Sequence, residues 1–178
     1  NVAFLLGTAI SSSTIGVLFE SFGVYEGEKN QVSFSAADEV ILGEFADIII
    51  PTTASSLGAK AAGVGSFIPM MVRDCYPANL QELFASGMKE MLSKCQKDFN
   101  KDFLSTNAQE RHKLMTDLTA EAIANKKKPS FFMIARDLTL LGYFSSEIGC
   151  TQAREYLPVP GRYDGSADYK PGQKAWAT

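Results

Sequence analysis

Apolar residues recur at helical spacing along most of the chain. Ile41, Phe45 and Ile48, with Leu42 and Ile49, share one face of a predicted helix. Ser35 precedes it as an N-cap, Asp38 takes the capping-box position three residues on, and Pro51 ends it. Residues 51–66 (PTTASSLGAKAAGVGS) are rich in Gly, Ala, Ser and Thr and read as a loop with one helical turn. A short helix follows over Val64–Cys75, and Pro77 marks the next break. Leu80, Phe84, Met88, Met91, Leu92, Cys95 and Phe99 then define a long amphipathic helix. Thr106 with Gln109 resembles a capping box for a fourth helix, whose core face is Leu114, Leu118 and Ala122 and which ends at Asn125 and Lys126–Lys128. Pro129 and Ser130 open the fifth and most apolar helix, from Phe131 through Leu138 and Leu141 to Ile148, stopping near Gly149. There is no internal repeat and no alternating strand pattern of useful length. The pattern predicts an all-α fold, an irregular bundle of about five helices over residues 35–150.

Both ends break the pattern. The first 19 residues carry no charge, and Glu20 is the first ionisable side chain. At ~1.5 Å per residue a helix over 2–19 would cross most of a ~30 Å hydrocarbon core. Thr8, Ser11, Ser12, Ser13 and Thr14 dilute its hydrophobicity, so it reads as an export-signal h-region retained as an anchor, or as a buried N-terminal helix. Residues 20–34 form a polar linker. At the other end, residues 151–178 hold three of the seven prolines, three of the six tyrosines and the single tryptophan. Tyr156-Leu-Pro-Val-Pro-Gly-Arg-Tyr163 cannot sustain a helix. This extended tail must pack its aromatics on its own helices or on a partner.

Composition narrows the function. Of 178 residues, 46% are apolar, and the formal net charge is −3, so disorder and nucleic-acid binding are both disfavoured. The single histidine, His112, lies in a polar helix start and has no nucleophile at a telling spacing. Cys75, Cys95 and Cys150 show no C-x-x-C spacing; Cys95 falls on an apolar stripe, and Cys150, beside the tail, is the best placed for a cross-chain bridge. Glu44 with Asp47, and Asp137 with Glu147, read as solvated faces and caps rather than as acid–base pairs. Met70, Met71, Met88 and Met91 read as core filler, and Gly63-Val64-Gly65 lacks the spacing of a phosphate loop. The inventory holds no recognisable active site and fits an interaction subunit.

Three segments together resemble one family. Glu44-Phe-Ala-Asp-Ile-Ile-Ile-Pro51, with Gly58-Ala-Lys-Ala-Ala-Gly-Val64 and Phe67-Ile68, is similar to the opening of the gluconate 2-dehydrogenase subunit 3 family. Leu138-Thr-Leu-Leu-Gly-Tyr-Phe-Ser-Ser-Glu-Ile-Gly149 and Pro158-Val-Pro-Gly-Arg-Tyr-Asp-Gly165 resemble its later motifs, so the likeness runs over residues 35–178. The uncharged start also resembles the h-region of twin-arginine signals, although this chain has no arginine pair there. The resemblance implies a small, non-catalytic, helical subunit that helps to stabilise, export and anchor a large FAD-dependent partner of the glucose-methanol-choline type. That partner oxidises a sugar, sugar acid or glycoside and passes electrons to a cytochrome c or quinone. The expected location is periplasmic and membrane-anchored through residues 1–19. The chain itself is expected to hold no catalytic, cofactor or metal residues. The expected partner-facing residues are Tyr143, Phe144, Cys150, Tyr156, Pro160, Arg162, Tyr163, Tyr169 and Trp176. The competing readings are an electron-transfer or quinone-docking module and an independent carboxylate-based enzyme.

Overall fold

The computed structural model describes residues 32–125, 128–159, 161, 165, 166 and 168–177. The apolar segment 1–19 and the linker up to residue 31 lie outside the described residues, as do Pro160, Arg162 and Tyr163.

Among the described residues five α-helices build the body: α1 (Ala36–Ile49), α2 (Val64–Cys75), α3 (Ala78–Phe99), α4 (Ala108–Ala124) and α5 (Phe131–Ser145). A 3₁₀ turn, Phe103–Ser105, precedes α4, and a π-type turn, Gly149–Ala153, follows α5. The mostly helical architecture agrees with the periodicity. Among the described residues no helix is long and apolar enough to cross a membrane.

Local chemistry fixes most boundaries. At α1 the Ser35 hydroxyl accepts the Asp38 N–H, and the Asp38 carboxylate accepts the Ser35 N–H at 2.8 Å, which satisfies two donors that the helix cannot. Gly63 precedes α2 at φ 75°, and Asn100 caps α3 at φ 52°. Pro69 sits buried inside α2 without ending it.

The core is aromatic at its centre. The Phe131 ring lies 5.4 Å from Phe45 and 4.9 Å from Phe84, so α1, α3 and α5 meet at one point. Burying each such ring contributes about 2–3 kcal/mol. α1 and α2 cross very closely. A Cβ on Gly65 would lie 2.6 Å from the Glu39 carbonyl and 2.9 Å from the Gly43 Cα.

Three expectations need correction. The cap of α4 is Asn107 with Glu110, not Thr106 with Gln109; Thr106 is buried and its hydroxyl donates to the Phe103 carbonyl at 2.6 Å. α5 ends at Ser145 rather than near Gly149. The linker's last residues already belong to the body: the Val32 N–H donates to Gln81 Oε1, and Phe34 packs edge-on against Phe84 at 5.8 Å. Within the tail, β1 (Glu155–Tyr156) pairs in parallel with β2 (Trp176–Ala177).

Candidate partner interface

The surface singled out in the sequence lies where α5 gives way to the tail. Ser146 turns extended after α5, and its hydroxyl donates to the Tyr143 carbonyl and accepts the Gly149 N–H. Glycine is required at 149, since a Cβ there would stand 1.9 Å from the Tyr143 carbonyl oxygen. The π-type turn thus folds tightly back on the end of α5.

Tyr143 is 1% exposed, and its hydroxyl donates to the Leu57 carbonyl at 2.9 Å and to Ser56 Oγ at 3.2 Å. This corrects its assignment to a partner surface: a phenol in the core needs an internal hydrogen-bond partner, and loop 51–63 supplies it. Phe144 is half-buried, edge-on to Tyr143 at 5.1 Å, with the Arg154 guanidinium 4.9 Å from its centroid. Cys150 is half-buried, and its thiol donates to the Phe144 carbonyl at 3.3 Å, so it is engaged within its own turn.

Gln152 then ties three segments together. Its Oε1 accepts the Leu57 N–H at 3.0 Å, and its backbone carbonyl accepts the Lys174 ammonium. The Glu155 N–H donates to the Ala175 carbonyl at 2.9 Å and the Leu157 N–H to the Ala177 carbonyl at 3.0 Å. The tail therefore returns to its own beginning, with Ala177 buried. Its large side chains face outward: Tyr156 is 49% exposed, Trp176 55% and Tyr169 76%. Sequence reasoning found the aromatics and missed Gln152 and Lys174, which hold them in place; neither lies in a periodic pattern.

Three of the four singled-out carboxylates, Glu44, Asp47 and Asp137, have structural partners. Glu44 accepts hydrogen bonds from the Lys60 ammonium and from Arg111 Nη1 at 3.0 Å. The Lys60 hydrogen bond, with Arg111 beside it, holds the Glu44 carboxyl below the usual range against the opposing cost of partial burial. Arg111 also donates to the Thr106 carbonyl and lies over the Phe103 ring, so Glu44 connects α1 to α4. Asp47 accepts the Lys60 N–H at 3.3 Å, and Asp137 pairs with its neighbour Arg136. His112 is exposed on α4, and burial raises the Cys95 thiol above its ordinary value. Met88 and Met91 fill the core as expected, whereas Met70 is exposed. Among the described residues no group of three or more His, Cys, Asp or Glu is arranged to hold a metal. No buried side-chain polar atom among them lacks a partner.

The family model for gluconate 2-dehydrogenase subunit 3 matches residues 36–161, from the first residue of α1 into the tail. The match is shorter than the resemblance over 35–178 and leaves β2 beyond its end. No curated protein and no solved structure matches the chain. The chain belongs to the gluconate 2-dehydrogenase subunit 3 family.

Proposed function

We propose that this chain is a non-catalytic accessory subunit of a dehydrogenase complex. Its partner is a large FAD-dependent flavoprotein of the glucose-methanol-choline type that oxidises a sugar, sugar acid or glycoside. The chain stabilises that partner, assists its export and keeps it at the periplasmic face of a membrane, with residues 1–19 as the export or anchor segment. Electrons leave the flavoprotein for a cytochrome c or a quinone.

Family membership supports the assignment to a complex. The observation that carries the binding role is the pinned tail. Tyr156, Tyr169 and Trp176 are exposed on a segment whose two ends are hydrogen-bonded to each other and to the body. Tyr and Trp dominate the buried anchors of interfaces, and a surface held in place before binding loses less entropy on docking. Glu44 and Asp137 form ion pairs that account for them without substrate chemistry.

Co-expression with the flavoprotein and purification through this chain tests the reading. A co-purifying large subunit with a flavin absorption spectrum is expected. Replacing Tyr156, Tyr169 and Trp176 together by Ala should release it while the helical circular dichroism stays unchanged. Purification of the unaltered chain without any flavoprotein would overturn the assignment.

A further inference from the structure

Residues 51–59, which follow α1, close on themselves through their own backbone. The Ala59 N–H donates to the Ile50 carbonyl at 2.9 Å, and the Thr53 N–H to the Ser56 carbonyl at 2.9 Å. The Gly58 N–H donates to the Thr52 hydroxyl at 2.9 Å. Gly58 is buried, and a Cβ there would stand 2.7 Å from the Thr52 nitrogen and 2.8 Å from the Ile50 carbonyl oxygen. The two ends of the loop are therefore in direct contact. A surface loop with tied ends is a fixed platform rather than a slack link.

Leu57 stands on this platform and is 44% exposed. Both of its peptide groups are gripped from far along the chain. Gln152 Oε1 accepts its N–H at 3.0 Å, and the Tyr143 hydroxyl donates to its carbonyl at 2.9 Å. An apolar side chain on a backbone already held at both sides has less freedom left to lose when it is covered. The exposed hydroxyl residues Thr52, Thr53 and Ser55 on the same loop supply a polar rim.

The residue that grips Leu57 also carries the tail. The Gln152 carbonyl accepts the Lys174 ammonium, and Gln152 lies three residues before β1. Three residues of chain span at most ~10 Å. An interface of ordinary size buries about 800 Å² on each partner, a patch roughly 30 Å across. A footprint of that size on β1 extends through Gln152 to Leu57.

We propose that residues 51–59 belong to the same docking surface as the tail, with Leu57 as an apolar anchor covered by the dehydrogenase subunit. The identity of that occupant rests on the accessory-subunit reading above. Continuity selects it, because one residue, Gln152, is bonded to the anchor on one side and to the strand pair's support on the other. Gln152 acts as the positioning residue that holds the anchor and the tail in register.

The test uses the full chain co-expressed with the flavoprotein. Ile123 serves as the comparison: it is 56% exposed, near the end of α4 that leads into the start of α5, away from the tail. Leu57→Asp should weaken the complex at least about tenfold, as expected for an anchor, and Ile123→Asp less than about twofold. Gln152→Leu, which cannot accept the Leu57 N–H, should weaken it about three- to fivefold, and Gln152→Glu, which can, should restore it. A photo-crosslinking residue placed at Leu57 should label the flavoprotein, and this readout decides the matter if Leu57→Asp loses its helical circular dichroism. Binding by Leu57→Asp as tight as by Ile123→Asp, or labelling confined to lipid, overturns the anchor and leaves the accessory role standing. Equal affinity of the two Gln152 variants overturns its positioning role. Failure of the unaltered chain to bind any flavoprotein overturns both the anchor and the accessory role.

Discussion

The α1–α2 crossing and the α3–α4 pair use the same kind of residue for opposite ends. Between α1 and α2, Gly43 and Gly65 let the two backbones touch, and the three atoms nearest the missing Cβ of Gly65 are all backbone. Between α3 and α4, Ser86, Ser93 and Ala122 leave a groove, and the helices meet there through the Lys94–Glu121 ion pair. A small residue in a sequence therefore has two meanings. Where a neighbouring helix closes on it, it marks close packing; where none does, it marks open space. The difference lies in which elements tertiary structure brings alongside.

The sharpest way to break this contrast is to add volume on each side. Gly65→Val should cost about 3 kcal/mol, because its branches meet the Glu39 carbonyl and Gly43 backbone, which cannot rotate away. Thermal or urea unfolding would measure the loss, and a near-neutral result would mean that the crossing is looser than its geometry. Next in size is Tyr143→Phe, which removes the buried phenol's hydrogen bond to the Leu57 carbonyl; about 1.5 kcal/mol should be lost by the same measurement.

Glu44→Gln tests the strut between α1 and α4 and should cost about 1 kcal/mol at neutral pH. Its pH dependence has a definite sign. Because the folded carboxyl sits below its ordinary value, its contribution is complete above the usual glutamate pKa of about 4.3 and disappears as pH falls through the lower folded value. The wild type and Glu44→Gln should therefore converge in stability on acidification. A gap in melting temperature that does not narrow at all as the pH is taken ever further below about 4.3 would show that the residue acts through packing instead. Glu110 and Asp74 are lowered as well, by Lys101 and Arg73 respectively, so the difference between the two proteins is the quantity to follow.

The smallest effect is expected at Ser93→Trp, where the isolated chain should change by less than about 0.5 kcal/mol, since the site is exposed. A large loss there would mean that α3 and α4 depend on each other more closely than the groove implies.

The helices were largely legible before their structure was known. α1 is bracketed by Ser35-x-x-Asp38 and Pro51, and α2 runs over the span its sequence suggested, Val64–Cys75. The cap of α4 was ambiguous because Thr106 and Asn107 are both good caps and Gln109 and Glu110 both suit the third position. Burial decided it, by committing the Thr106 hydroxyl to Phe103. The apolar period of α5 continues to Ile148, so nothing in it announces that Gly149 must fold against the Tyr143 carbonyl. At the candidate interface, composition pointed to the exposed Tyr156, Tyr169 and Trp176 but also to Tyr143, whose chemistry is the same and whose burial is not. The Leu57–Gln152 hydrogen bond joins residues 95 apart, a distance over which local periodicity carries no information.

The β1–β2 pair closes residues 155–177 into a ring. Closing a ring of about 20 residues costs on the order of 3 kcal/mol in a free polymer, and here the closure is met inside the subunit before any partner arrives. A partner that grips both sides of the ring gains from that, since the second grip follows the first at a fixed separation. The same ring has a weak link. Removing only Lys174 to Ala177 takes away the ammonium on Gln152 and the strand that Glu155 and Leu157 bind, and so opens the whole segment at once. Cleavage between Gln173 and Lys174 would then unfasten β2 from β1 and from Gln152.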